Sequence, residues 1–187
     1  MAAVYLPQHN LTYVHIPKTG GTSITNWLMK YDPAYELKDG HHTIHMLRRN
    51  WDIDRYFTVV RNPWDRLVSM YHFMLLEPPD SFYTAVPKTF DDFLNNLTFD
   101  FSSKKIVHWF NMTTNQSFWI DDNAIVLRTE SLNEDFKQIQ DILNCSIPLP
   151  HENTTMHTHY RDYYNTQQQK LVADVYAEDI ELFKYTF

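Results

Sequence analysis

Residues Tyr13–Ser23 read Tyr-Val-His-Ile-Pro-Lys-Thr-Gly-Gly-Thr-Ser, and they carry the strongest signal of the fold. β-Branched and aromatic residues over Thr12–Ile16 predict a short buried strand that ends at a proline. A loop follows over residues 18–22. The helical spacing of the apolar residues after that loop predicts a helix over Ser23–Tyr31. A strand, a loop and a helix in this order are typical of an α/β fold.

The loop between this strand and this helix combines a cation, two glycines and several hydroxyl groups. Gly20 and Gly21 allow main-chain N–H groups to approach a phosphate closely, and a helix start adds unpaired donors and its dipole. Lys18 adds a positive charge on a flexible stem. The hydroxyl donors are Thr19, Thr22 and Ser23. The loop therefore predicts an anion-binding cradle.

The order of residues in this loop differs from two common nucleotide-binding motifs. A Walker A loop places its lysine after the last glycine, whereas Lys18 precedes Gly20 and Gly21. The G-x-G-x-x-G pattern of dinucleotide-binding proteins is absent as well. An ordinary strand-to-helix turn is the alternative to an anion site.

A second strand–helix junction repeats this logic. A strand is predicted over Tyr56–Val60, and Asn62 is a suitable N-cap for a helix over Trp64–Leu76. Arg61 follows the strand, and Ser69 lies about two turns into the helix. Because ligands in open α/β sheets bind outside the carboxyl ends of strands, we expect both loops to face one crevice. An arginine and a hydroxyl suit a phosphate monoester.

The remaining pattern completes the fold prediction. A third strand is predicted over Ala124–Leu127, and helices are predicted over Phe90–Leu97, Lys104–Phe110, Asn133–Leu143 and Gln167–Phe183. Short strands that alternate with helices predict an α/β fold. We expect a single domain over residues 1–187, with a mostly parallel central sheet flanked by helices.

Composition narrows the possible functions. The chain has 187 residues and a net charge of -7, which argues against a general nucleic-acid binder. Cys145 is the one cysteine, so neither an internal disulfide nor a cysteine-based zinc site is expected. We expect no signal peptide and no membrane span, and therefore a protein of the cytoplasm or another soluble intracellular compartment. Six Asn-X-Ser/Thr sequons would matter only for a trimmed fragment in the Golgi lumen.

The two junctions together resemble the sulfotransferase superfamily that uses 3′-phosphoadenosine 5′-phosphosulfate (PAPS). His-Ile-Pro-Lys-Thr-Gly-Gly-Thr-Ser, His15–Ser23, is similar to the loop that holds the 5′-phosphosulfate end. Val60–Ser69 is similar to the segment that binds the 3′-phosphate. The resemblance is to the carbohydrate-type branch, which includes heparan, dermatan and chondroitin O-sulfotransferases and small bacterial or viral relatives. Residues 127–136, 160–164 and 179–185 also fit the family pattern, and a P-loop-like fold is implied.

The resemblance implies in-line transfer of a sulfuryl group from PAPS to an acceptor hydroxyl, with a saccharide as the expected acceptor and adenosine 3′,5′-bisphosphate (PAP) as the product. It implies that Lys18 stabilises the leaving phosphate and that Arg61 and Ser69 bind the 3′-phosphate. Tyr160 and Arg161 would close over the nucleotide, although Arg161 could instead pair with Asp162 or Glu152 at the surface.

A histidine is the expected general base. In the resembling family the catalytic histidine follows the first helix and precedes the 3′-phosphate strand. His42 fits this place best, and His41 is the alternative. No metal is expected: His41 and His45 have the spacing of H-E-x-x-H, but its glutamate is missing.

Two other functions stay open from the sequence. A P-loop kinase or NTPase would need a lysine after the glycines and a carboxylate at a strand end for Mg²⁺. A non-catalytic nucleotide-binding module would keep Lys18 and Arg61 but would not depend on His41 or His42.

Overall fold

A computed structural model describes residues 2–76, 87–95, 113–150 and 158–187. The helix predicted over Lys104–Phe110 lies outside these residues. The chain divides into two compact units, and each unit is formed by two separate parts of the chain. Unit 1 is Met1–Arg61 with Gln116–Thr154, and unit 2 is Asn62–Asn115 with Thr155–Phe187. The expected single domain stays a prediction.

Unit 1 contains a mixed five-stranded sheet of order β3-β1-β2-β4-β5. Its strands are β1 (Ala2–Leu6), β2 (Leu11–Val14), β3 (Glu36–Asp39), β4 (Arg55–Val60) and β5 (Ile125–Arg128). β4 pairs in parallel with β2 and with β5, whereas β1 is antiparallel to both β2 and β3. Four of these strands therefore run in one direction, which confirms the predicted α/β class with its mostly parallel sheet.

Strands β1 and β3 were not predicted. β1 is buried along almost its whole length, so it lacks the alternation that identifies a half-buried strand. β3 reads Glu-Leu-Lys-Asp and is largely exposed, so its residues have low strand propensity. Its ladder with β1 makes it an edge strand, and that pairing is a tertiary effect.

The helices are α1 (Gly21–Tyr31), α2 (Ile44–Leu47), α3 (Pro63–Leu76), α4 (Phe90–Asn95), α5 (Leu132–Asp135), α6 (Lys137–Ile142), α7 (Thr166–Val175) and α8 (Ala177–Phe183). The continuous helix predicted over Gln167–Phe183 is wrong, because Tyr176 leaves helical geometry at φ -108°, ψ 27°. The buried Tyr176 side chain donates to the main-chain oxygen of Thr113 at 2.6 Å, a contact invisible in local sequence. No helix among the described residues is long and apolar enough to cross a membrane.

The core of unit 1 lies between one face of the sheet and helices α1 and α6. Each strand from β1 to β5, apart from the edge strand β3, contributes alternate apolar residues to it. Trp27 of α1 packs edge-on against Phe136, which immediately precedes α6, with ring centroids 5.0 Å apart. The opposite face of β4 is also buried, since Tyr56–Val60 are all 0 % exposed. Burial on both faces is typical of a central strand in a parallel sheet.

Unit 2 is built on α3, whose start was predicted correctly. Asn62 Oδ1 accepts a hydrogen bond from the main-chain N–H of Trp64 at 3.1 Å, which is the expected N-cap contact. Arg66 on this helix is only 2 % exposed and donates to the main-chain oxygen of Thr114 at 2.9 Å. Tyr164 donates to the main-chain oxygen of Trp64, and both side chains belong to the hydrophobic core of unit 2.

Candidate active site

The two predicted loops leave the same edge of the sheet in unit 1. β2 and β4 are neighbouring parallel strands, with Val14 opposite Thr58. The loops after them therefore begin side by side, as parallel pairing requires. Arg61 Nη1 donates to the main-chain oxygen of Lys18 at 3.3 Å. The structure thus brings together Lys18 and Arg61, which are 43 residues apart in the chain.

The first loop turns sharply because two of its residues adopt left-handed backbone geometry. These are Lys18 at φ 67° and Gly20 at φ 85°. Left-handed geometry costs a residue with a side chain about 1 kcal/mol, so Lys18 is held there by its surroundings. The Thr19 hydroxyl donates to the main-chain oxygen of Ile16 at 2.9 Å and closes the turn.

Helix α1 begins at Gly21, two residues earlier than predicted. Its N-cap, Gly20, makes no side-chain hydrogen bond to the first turn. A helix start with this composition presents main-chain N–H groups and the positive end of the dipole to an anion. This helix start lies where the sequence predicts the anion cradle, and anion binding there stays a prediction.

The three hydroxyl residues of the cradle differ in exposure. Thr19 is fully buried, and its hydroxyl hydrogen is directed to Ile16. Ser23 is also buried, whereas Thr22 is partly exposed. The expected donation from all three hydroxyls to a ligand stays a prediction. Thr22 is the one whose side chain is accessible without a change in the loop.

His15 lies beneath the cradle and had no assigned role in the sequence analysis. It is 1 % exposed, and a Cβ built on Gly21 would lie 2.0 Å from its Nε2. Burial, followed by the charge of His41, lowers the pKa of His15 to about 3. Its buried Nδ1 has no hydrogen-bond partner among the described residues, which fits a neutral ring. The His15 ring thus occupies the space that a side chain at Gly21 would need.

His41 packs against His15, which lies beneath the cradle. Its Nδ1 donates to the main-chain oxygen of His15 at 3.2 Å, and the two imidazole rings meet edge to face at 5.0 Å. The buried Trp119 ring stands on another side of His41, at a centroid distance of 6.1 Å. Because a carbonyl only accepts, Nδ1 carries the hydrogen and Nε2 of the neutral ring carries the lone pair.

His42 bends back to its own loop. Its Nε2 donates to the main-chain oxygen of Asp39 at 2.7 Å. The structure therefore places His41, rather than His42, against the segment that carries Lys18. Which of the two acts on a substrate stays a prediction.

Arg128 marks the carboxyl end of the third parallel strand, beside Val60 of β4. Its main-chain N–H donates to Asp135 Oδ2 at 2.8 Å, and the Ser131 hydroxyl donates to the same oxygen at 3.0 Å. Thr129 Oγ1 lies 3.1 Å from the main-chain oxygen of Thr19, which ties this strand end to the cradle. Arg61 follows β4 and Arg128 ends β5, so an arginine stands at the carboxyl end of each of these two strands.

The other predicted site residues belong to unit 2. Ser69 is buried on α3. Tyr160 and Arg161 lie on a 3-10 turn, Tyr160–Tyr163. Arg161 Nη2 donates to the main-chain oxygen of Phe187 at 2.7 Å, and its guanidinium stands over the rings of Tyr160 and Phe187, 5.7 Å from each centroid.

Arg161 is therefore anchored to Phe187 in this structure, and Asp162 is not its partner. Glu152, the other expected partner, lies outside the described residues. The predicted roles of Ser69, Tyr160 and Arg161 toward a nucleotide stay predictions.

No group of three or more His, Cys, Asp or Glu side chains that could hold a metal ion occurs in residues 2–76, 87–95, 113–150 and 158–187. Two further histidines, His151 and His157, lie outside this part of the chain.

Comparison with known families agrees with the motifs. The model described as "Sulfotransferase family" matches residues 2–186, which is nearly the whole chain. The superfamily resemblance is thereby confirmed, while the carbohydrate-type branch stays a prediction. No curated protein matches the chain, and no solved structure matches it.

Proposed function

Because the chain belongs to the sulfotransferase family, and is therefore an enzyme that transfers sulfuryl groups, we propose that its donor is PAPS and its acceptor a hydroxyl group of a saccharide. The observation that carries the donor assignment is the cradle. Lys18, the start of α1 and Arg61 lie at one edge of the sheet, with Arg61 bonded to the main-chain oxygen of Lys18.

The residues present fit a donor with phosphate groups at two positions. Main-chain N–H groups at the start of α1 and the ammonium group of Lys18 suit the 5′ end of the nucleotide. The planar guanidinium of Arg61 suits the 3′-phosphate, and the resemblance adds the Ser69 hydroxyl. Tyr160 and Arg161 are assigned to the nucleotide by the same resemblance. Each assignment is testable by its own variant.

When bound, PAPS supplies a sulfuryl group that is already attached to a phosphate leaving group. Lys18 then stabilises the negative charge that develops on that phosphate as the bond breaks. Preorganised donors of this kind contribute about 3–4 kcal/mol to transition-state stabilisation.

His41 is the general base that the geometry favours. Its Nδ1–H is fixed on the main-chain oxygen of His15, so the lone pair of Nε2 can accept the proton of the acceptor hydroxyl. The proton leaves the acceptor oxygen as that oxygen bonds to sulfur. We therefore assign the general base to His41, whereas the sequence alone favoured His42.

Calorimetric titration with PAP tests the donor assignment, in parallel with ATP plus Mg²⁺. We expect the wild type to bind PAP selectively and the Arg61→Ala variant to lose most of this affinity. Arg55→Ala is the matched control, because Arg55 is an exposed arginine at the opposite end of the same strand. Preference for ATP with Mg²⁺ would overturn the proposal in favour of a kinase or NTPase.

The acceptor is tested separately with PAPS labelled in its sulfuryl group. We expect label on saccharides that carry free hydroxyls and none on matched amine or phenol acceptors. Tight PAP binding without transfer to any acceptor of a broad panel would indicate a non-catalytic nucleotide-binding module. Transfer confined to phenols or amines would leave the donor assignment intact and contradict the acceptor class.

A further inference from the structure

The side chain of Gln116 holds the main chain of Arg61 at both of its polar groups. The main-chain N–H of Arg61 donates to Gln116 Oε1 at 2.8 Å, and Gln116 Nε2 donates to the main-chain oxygen of Arg61 at 2.9 Å. Gln116 is 0 % exposed and lies 55 residues from Arg61 in the chain. Both residues belong to unit 1.

This contact occurs at the carboxyl end of β4, just beyond its last residue that pairs with β5. The ladder between β4 and β5 ends with Val60 opposite Arg128, so Arg61 is the first residue after β4. A buried main-chain N–H and oxygen need partners. The amide of Gln116 presents an acceptor and a donor side by side, as the peptide group of a neighbouring strand would. It therefore extends the pairing of β4 by one residue.

Two fixed points then define the position of the Arg61 side chain. Gln116 fixes the main chain of Arg61, and with it the direction in which the side chain starts. At the other end, Arg61 Nη1 is held by the main-chain oxygen of Lys18 at 3.3 Å. A side chain that is already ordered loses less entropy when it binds an anion.

We infer that Gln116 is a positioning residue that orients Arg61 for the 3′-phosphate of the donor. The inference rests on the proposed function for the identity of the anion. Gln116 acts through Arg61 and is assigned no contact with the donor. Its effect on donor binding should therefore disappear when the Arg61 guanidinium is absent.

The segment Gln116–Asp121 provides a matched control at its other end. The Tyr56 hydroxyl, at the start of β4, donates to Asp121 Oδ1 at 2.7 Å. Tyr56 is buried as completely as Gln116. The same hydroxyl accepts a hydrogen bond from the main-chain N–H of Asp121 at 2.7 Å. Tyr56→Phe thus removes the hydrogen bonds between β4 and the segment Gln116–Asp121 at this point without touching Arg61. A general loosening of this segment would appear in both variants.

A double-mutant cycle with PAP tests the inference. Gln116→Met removes both hydrogen bonds and keeps a side chain of similar length. We expect it to weaken PAP binding about tenfold in the wild-type background and to have no effect in the Arg61→Ala background. Tyr56→Phe should leave the PAP affinity unchanged. Equal weakening by Gln116→Met in both backgrounds, or by Tyr56→Phe as well, would overturn the inference.

Amide hydrogen exchange of the ligand-free protein gives a readout that does not depend on the donor. We expect Gln116→Met to accelerate exchange at Arg61 while exchange at Thr58 keeps its wild-type rate. Unchanged exchange at Arg61 would overturn the positioning role, whatever the ligand. Failure of the wild type to bind PAP would overturn the proposed function and the anion assigned to Arg61, and the exchange result would still decide whether Gln116 orders Arg61.

Discussion

A Cβ built on Gly21 would lie 2.0 Å from Nε2 of His15. His15 is buried, and its main-chain oxygen holds His41. The start of α1, the buried imidazole and the His41 ring are therefore packed as one group. A change at Gly21 must displace the His15 ring, and with it the residue that orients His41.

Gly21→Ala should destabilise the protein for this reason. Overpacking of this kind costs about 1–3 kcal/mol of the free energy of unfolding, and denaturant unfolding measures it. The double variant Gly21→Ala with His15→Ala should recover part of the loss, because the ring that meets the new methyl group is gone. A Gly21→Ala variant as stable as the wild type would contradict the close packing.

Lys18→Ala and Lys18→Gly should both abolish most transfer while the protein stays folded. We expect a loss of kcat of about 10²–10³-fold, the effect of removing one preorganised donor. Lys18→Gly should be at least as stable as Lys18→Ala, because glycine adopts the left-handed backbone at φ 67° without strain. Lys30→Ala, on the exposed side of α1, is the control. Near-normal kcat in either Lys18 variant would exclude the proposed role.

His41→Asn should lower kcat by about 10²–10⁴-fold, as expected for loss of a positioned general base. His42→Asn should leave kcat close to the wild-type value, since His42 is bonded to Asp39 in its own loop. Steady-state kinetics at saturating donor and acceptor measure both. The reverse result would assign the base to His42, and wild-type kcat in both variants would place the base elsewhere.

Stability should fall as the pH is lowered, in part because of His15. Its folded pKa is about 3 and its ordinary value is 6.5, so between these values only the unfolded chain binds this proton. The folded state is therefore favoured above pH 6.5 and loses stability below it, by at most about 1.4 kcal/mol per pH unit for one proton.

Denaturant unfolding across this pH range measures the effect. His15→Asn should flatten the dependence, whereas His45→Asn should not, because His45 is exposed. An equal pH slope in the wild type and in His15→Asn would show that His15 is not neutral when folded.

Arg161→Ala should affect local order as well as nucleotide affinity. The Arg161 guanidinium is bonded to the main-chain oxygen of Phe187 and stands over its ring. We expect faster amide exchange over the 3-10 turn Tyr160–Tyr163 and weaker PAP binding. Lys170→Ala is a control, since Lys170 is exposed and pairs with Asp174 on α7. Unchanged PAP affinity in Arg161→Ala would remove Arg161 from the nucleotide site.

The local sequence pattern was sufficient to predict the secondary-structure elements that position the cradle. The strand before Pro17, the helix after Gly20 and the N-cap at Asn62 all follow from short-range chemistry, and their bounds were predicted within two residues. β3 and the break at Tyr176 were not predictable in this way. The strand pairs with β1, which is distant in the chain, and the break occurs at a residue whose side chain bonds to the distant Thr113.

The motifs of the sequence were enough to indicate the family by resemblance and to predict an anion cradle, because a lysine, paired glycines and a following helix are local features that each have a physical consequence. Which side chains support these features is a property of the tertiary structure. His15 fills the space at Gly21, His41 is held on His15, and Gln116 orders Arg61. These contacts join residues of separate elements, and their geometry exists only once the sheet has brought its strand ends together.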